Sequence, residues 1–137
     1  MFKISTISST DLRYRLAGST IAGSEVLAEL ARDENASIRA RVAENASTDL
    51  HTLVKLLGDR DAEVRQAIAN NPTAPSLFLK TLAIDEDPDV RYALAENPNL
   101  PRHILQSLVN DDNPYVSHRA RTTLRRLDLT ACSIAAA

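Results

Sequence analysis

One interval constrains this chain more than any other property, a step of 26 residues. Ile38, Val64, Val90 and Val116 stand that far apart. Arg39, Arg65 and Arg91 follow the first three directly, with Arg13 in the same register and Ser117 in the last place. The same step joins Leu27, Leu53, Leu79 and Leu105, then Leu30, Leu56, Leu82 and Leu108. Asp33, Asp59, Asp85 and Asp111 hold it, as do Ala17, Ala43, Ala69 and Ala95, and Asn45, Asn71 and Asn97. A fixed period kept in several registers without insertion or deletion is the mark of stacked units, each of which hides its apolar face only against its neighbours.

Inside one unit the apolar residues recur at helical spacing. Leu53, Leu56 and Leu57 stand at i, i+3 and i+4, and so do Leu79, Leu82 and Ala83. A second set follows in each unit, Val64 with Ile68 and Val90 with Leu94. This is the 3.6-residue stripe of a helix, not the alternation of a strand, so each unit is read as two short helices, A and B. Asn35, Asp61, Asp87 and Asn113 share the register before helix B, with Pro88 and Pro114 after the last two. Such side chains accept the free N–H groups of a first turn, and proline suits the first helical position. The Asn71-Pro72 and Asn97-Pro98 pairs are read as stops, the asparagine suited to a left-handed terminal residue and the proline unable to extend the ladder. Pro75, Pro101 and Asp49 mark the starts of helix A.

The chain has 137 residues, enough for one domain. Residues 1–10 are expected to be a flexible lead-in, 11–130 the repeat domain and 131–137 a frayed tail. The unit after residue 10 is degenerate, with Gly18 and Gly23 weakening its helices. In the last unit Thr122-Thr123 stands where its predecessors break, so the final helix is expected to run on from Tyr115 to Leu129 as a polar cap, with Arg119, Arg121, Arg125 and Arg126 in water. A formal charge of −2 gives no general pull toward nucleic acid or an anionic membrane. One cysteine, Cys132, excludes an internal disulfide. With no signal-like segment and no long apolar run, a cytoplasmic location is expected.

The run from Asp85 to Pro101, DEDPDVRYALAENPNLP, resembles the leucine-rich-repeat-variant family, an α-solenoid group beside the HEAT repeats. The resemblance covers roughly Asp11 to Leu127. It implies an all-α, right-handed α-solenoid (α-α superhelix), here of about five 26-residue two-helix repeats, in which one helix of a pair can be 3₁₀-like. A founding type of that family holds an iron–sulfur cluster on an N-terminal cysteine-rich segment. Those cysteines are missing, so no cofactor is carried over.

Each of Arg39, Arg65 and Arg91 lies six residues after Asp33, Asp59 or Asp85. The spacing resembles the HEAT Asp–Arg pair, which implies a structural ladder that fixes register more than it stabilises. With Val64 and Ile68 inward, the opposite face of helix B carries Glu63, Gln66 and Asn70, and in later units Asp89, Tyr92 and Glu96, then Tyr115, His118 and Thr122. In HEAT-like solenoids that helix lines the concave surface. These positions change chemistry while the core does not. Glu63, Gln66, Asp89, Tyr92, Glu96, Tyr115 and His118 are therefore the candidate partner contacts, since tyrosine is favoured in recognition patches. His51 and His103 share a register about two helix spacings apart, with Leu77 between them, so no metal site is expected. No catalytic constellation and no phosphate loop is recognisable. The reading is a non-enzymatic protein–protein interaction scaffold, its protein partner unidentified, with end faces suited to end-to-end self-association. The alternative is nucleic-acid binding through the C-terminal arginine cluster, which the acidic-to-neutral face of helix B disfavours.

Overall fold

A computed structural model describes residue 4 and residues 7–136. Residues 1–3, 5, 6 and 137, the ends of the expected lead-in and tail, lie outside the described residues. Every regular segment of four residues or more among those described is an α-helix, and none is a strand. The helices run α1 (Thr10–Ala17), α2 (Ser24–Leu30), α3 (Ala36–Glu44), α4 (Leu50–Leu57), α5 (Ala62–Ile68), α6 (Ser76–Leu82), α7 (Pro88–Glu96), α8 (Arg102–Leu108) and α9 (Pro114–Ala135). Helices α2, α4, α6 and α8 take the place of helix A, and α3, α5, α7 and α9 that of helix B. Both kinds are α-helices. The chain divides into two units, Met1–Ala74 and Pro75–Ala137.

The caps follow the sequence reading. Asn35, Asp61, Asp87 and Asn113 all stand at N-cap. Three of them receive a backbone N–H on the side chain: Ser37 N donates to Asn35, Asp89 N to Asp87, and Tyr115 N to Asn113. Asp61 does not cap with its side chain; its carboxylate turns to Arg39 instead. A carboxylate gains more from a guanidinium than from one exposed amide, so the ion pair wins.

In the first unit Leu27, Leu30, Ile38, Val42, Leu53, Leu56, Val64 and Ile68 are almost fully buried. In the second the same registers supply Leu82, Val90, Leu94, Leu105, Leu108 and Val116. A further register, Thr52, Phe78 and Ile104, is also buried, although its chemistry is not constant. Helix α3 packs on α5 in the first unit, and α7 and α8 pack on α9 in the second. The final helix runs on past its expected end at Leu129, to Ala135.

The asparagines stand at the helix ends as expected, at C-cap for α3 and α7, but not in the left-handed conformation. No described residue has a positive φ, and Asn45 and Asn97 close α3 and α7 with extended backbone. Their amides do different work. Asn45 Nδ2 donates to Ala17 O at 2.8 Å and Ser19 O at 2.9 Å. Asn71 Nδ2 donates to Ala43 O at 2.7 Å and Asn45 O at 3.0 Å. Each reaches back to the end of the preceding helix B, where it satisfies the carbonyl of Ala17 or Ala43 and adds a second donor to that of Ser19 or Asn45. Thr123, in the same register of the last unit, donates to Ala95 O at 2.6 Å from inside a continuous helix. A hydroxyl supplies the missing donor without interrupting the backbone.

Candidate functional site

The recurring arginines form the frame of the candidate surface. Arg39, 5% exposed, donates from Nε and Nη2 to both carboxylate oxygens of Asp59, at 2.8 and 3.0 Å. Its Nη1 donates to the backbone oxygens of Asp33 and Glu34, and Asp61 adds a second carboxylate. Arg13 meets Asp33 at 2.8 Å. In the second unit Arg91 meets both oxygens of Asp111, at 2.7 and 3.0 Å. The side-chain partner of these arginines thus lies 20 residues ahead, while the residue six behind supplies a backbone carbonyl. Arg65 makes the corresponding backbone contact, Nη1 to Asp59 O at 2.8 Å. Asp85 Oδ1 accepts from Asp87 N at 2.9 Å. Ser117 takes the arginine place beyond Asp111 and turns its hydroxyl to Pro114 O.

The charges respond to this frame. Asp59 is pushed up by burial, but hydrogen bonds from Arg39 and from Asp61 N–H outweigh it and hold its carboxyl below the ordinary value. The Arg91 hydrogen bonds hold Asp111 down in the same way, against the opposing effect of burial. Arg39 and Arg91 are raised in turn, chiefly by hydrogen bonds to Asp59 and Asp111. These are bidentate pairs held by geometry, with all donors directed inward. They position the helices and leave little free charge for a ligand.

The outward face of helix B is different in each unit. On α3 and α5, Ser37 Oγ donates to Glu63 at 3.1 Å, and Gln66 is half-buried. On α7 and α9, Tyr92 is half-buried beneath Arg119, whose Cζ lies 5.8 Å from the ring centre. Glu96, four residues on from Tyr92, pairs with the same guanidinium. Tyr92, Glu96 and Arg119 are thus brought together. Asp89, Tyr115 and His118 are exposed, Tyr115 at 76%. Among the described residues, no hydrogen bond or ring contact ties the side chains of Tyr115 or His118 to Asp89 or Tyr92. The expectation that Arg119 faces water is corrected: it is half-buried, and its Nε is enclosed without an acceptor. Arg121 donates to Val109 O at 2.9 Å. Of the C-terminal arginine cluster, Arg121, Arg125 and Arg126 are exposed.

Sequence reasoning passed over the tyrosine–arginine stacks. Arg41 lies 5.6 Å from the Tyr14 ring centre, the first-unit equivalent of Arg119 on Tyr92. The signal was present: each arginine follows its tyrosine by 27 residues, one period and one residue. In each unit, a guanidinium against an aromatic face offers cation–π and hydrogen-bonding chemistry. No group of three or more His, Cys, Asp or Glu among the described residues is placed to hold a metal. No described helix is long and apolar enough to cross a membrane. Comparison with family models, with curated proteins and with solved structures finds no match in any of the three.

Proposed function

We propose that this chain is a HEAT-like repeat scaffold, akin to the leucine-rich-repeat-variant group, that binds a partner protein through the outward face of helix B. The single observation that carries this reading is the contrast between frame and face. The Arg Nε-to-Asp Oδ2 bond across 20 residues and the Asn or Thr bond to a backbone carbonyl across 28 recur with nearly the same lengths. The positions they hold outward do not recur: Glu63 and Gln66 in one unit, Asp89, Tyr92, Tyr115 and His118 in the other. A repeated frame with a varied face is how stacked repeats present an extended binding surface. Tyr115 contributes most, because a tyrosine at 76% exposure gains nothing from packing within the chain. An exposed ring with its hydroxyl suits a mixed polar and aromatic contact. A right-handed superhelix of about five units, with helix B on its concave side, is part of the same proposal.

The test uses the exposed residues, whose loss leaves the frame alone. Partners captured by the wild-type chain from native lysate are identified, and the direct affinity of each purified partner is measured. Tyr115→Ala/His118→Ala is expected to weaken the partner at least about tenfold, the loss typical of a central aromatic contact. Val54→Ser, on the exposed side of α4, is expected to change it less than about twofold. Equal affinity for the wild type and the double variant would remove the proposed face.

A further inference from the structure

Among the described residues two tyrosine–arginine stacks occur, one in each unit, and they differ at one position. In the second unit α7 carries Glu96 four residues after Tyr92, and Glu96 pairs with Arg119. In the first unit the residue four after Tyr14 is Gly18. The chain thus supplies Arg119 with a carboxylate from that position and supplies Arg41 with none. The carboxylate that Arg41 does meet is Glu44, on its own helix, 3.4 Å from Nη1, with side chains 43% and 38% exposed. An exposed i, i+3 pair of that length is weak and readily exchanged. Among the described residues no acceptor bonds Nε or Nη2 of Arg41.

The glycine also decides where the guanidinium sits. A Cβ at Gly18 would fall 2.4 Å from Arg41 Nε and 2.9 Å from Nη2, so the group rests directly on bare backbone. The Tyr14 ring bounds it as well, and a stacked guanidinium presents its N–H edge to a ligand in the plane. Arg15, in the register of Arg41 one unit earlier, is exposed, and no described carboxylate pairs with it. Helix α1 packs on α3, so two like charges are set on neighbouring helices. Leu12 and Tyr14, 45% and 43% exposed, flank them.

We infer that the Tyr14–Arg41 face of the first unit, together with Arg15, anchors an acidic segment of a partner protein, one Glu or Asp carboxylate taking on Arg41 the place that Glu96 takes on Arg119. Charge complementarity selects the occupant: two guanidinium groups, one of them pre-oriented and paired only with the exchangeable Glu44, the other with no ion pair among the described residues. A planar carboxylate fits the guanidinium edge with two parallel hydrogen bonds. This assignment rests on the stacks and on Gly18, not on the Tyr115 face, and stands or falls separately from it.

The test uses the full chain and a fluorescein-labelled oligoglutamate peptide, with binding read by fluorescence anisotropy at low salt and at about 0.15 M salt. Arg41→Gln is expected to weaken binding about tenfold, the loss of one charge-assisted bidentate contact. Arg125→Gln removes the same charge from an exposed site on α9 and is expected to change binding less than about twofold. Gly18→Glu supplies the missing carboxylate in cis, displacing only the flexible end of Arg41, and is expected to weaken peptide binding about fivefold. Should Arg41→Gln fail to fold by circular dichroism, Arg41→Lys keeps the charge, loses the fork and is expected to weaken binding about fivefold. In NMR the Arg41 Nε–Hε resonance is expected to shift on titration while that of Arg119 stays. Equal weakening by Arg41→Gln and Arg125→Gln would overturn the assignment, as would the absence of any binding. Displacement of the peptide by a duplex oligonucleotide at lower concentration would reassign the face to nucleic acid.

Discussion

Asn71→Ala removes one amide and disturbs four hydrogen bonds. Nδ2 serves Ala43 O at 2.7 Å and Asn45 O at 3.0 Å, and both bonds are buried. Oδ1 accepts from Thr73 N at 2.8 Å and Thr73 Oγ1 at 2.7 Å. The Thr73 groups lie at the margin and are rehydrated when the partner goes. The carbonyl of Ala43 is not, because Asn71 is 5% exposed and Ala43 and Asn45 are buried around it, whereas Asn45 O keeps the Thr48 N–H at 3.0 Å. A buried acceptor left without a donor costs about 1–3 kcal/mol. One such acceptor, together with the second bond lost at Asn45 O, puts the loss at about 2 kcal/mol. Urea unfolding followed by far-ultraviolet circular dichroism measures it; with a slope of about 1.5 kcal/mol per molar, the midpoint falls by about 1.3 M. Asn71→Asp keeps the shape but turns a donor into an anion facing two carbonyl oxygens, so it is expected to be worse than alanine at neutral pH. Asn99→Ala, on an exposed asparagine, is the control and is expected to stay within about 0.5 kcal/mol. A loss below about 0.5 kcal/mol for Asn71→Ala would show that the carbonyls do not depend on the amide, and the reasoning about the asparagine register would fail.

Three further outcomes are expected. Thr123→Val deletes the 2.6 Å bond to Ala95 O at nearly constant volume and should cost about 1–2 kcal/mol in urea unfolding, with Thr123→Ser recovering part of it; a neutral Thr123→Val would refute the equivalence of Thr123 and the asparagines. Arg39→Met leaves Asp59 half-buried and unpaired and should cost about 3 kcal/mol, while Arg39→Met/Asp59→Leu should be distinctly less harmful, the pair being better at fixing register than at adding stability; equal losses would refute that. Asp59 and Asp111 have folded-state values below their ordinary ones, so their contribution is fully present above the unfolded carboxyl range near pH 4 and is lost as pH falls through the lower folded values. The urea midpoint should therefore drop as pH is lowered from about 5 toward 3, and Asp59→Asn should flatten that drop; a pH-independent midpoint over this window would contradict the pairing.

The helices were legible because their causes are local. Leu53 and Leu56 three apart, an Asp or Asn before a proline, and a constant step between equivalent residues are all read along the chain, and α3 to α9 start where those signals place them. The break missing at Thr122-Thr123 likewise announced a longer last helix. The face of helix B was legible as a set of positions, because a 3.6-residue period fixes which residues point away from Val64 and Ile68.

Partnership across the repeat was not legible. Arg39 has Asp33 six residues behind it and Asp59 twenty ahead, and nothing in composition or spacing says which carboxylate its fork will reach; the packing of α3 on α5 brings Asp59 into line. The asparagines were legible as helix stops, but only the approach of two helix ends shows that the amide also joins them. Arg119 looked solvated because its sequence neighbours are polar, yet Tyr92 and Glu96 on another helix enclose it. The chain alone determined what each segment becomes, since backbone preference and apolar period act over a few residues. Which charges meet, and so which arginine is answered and which is left open, was decided only in three dimensions, where distance through space replaces distance along the chain.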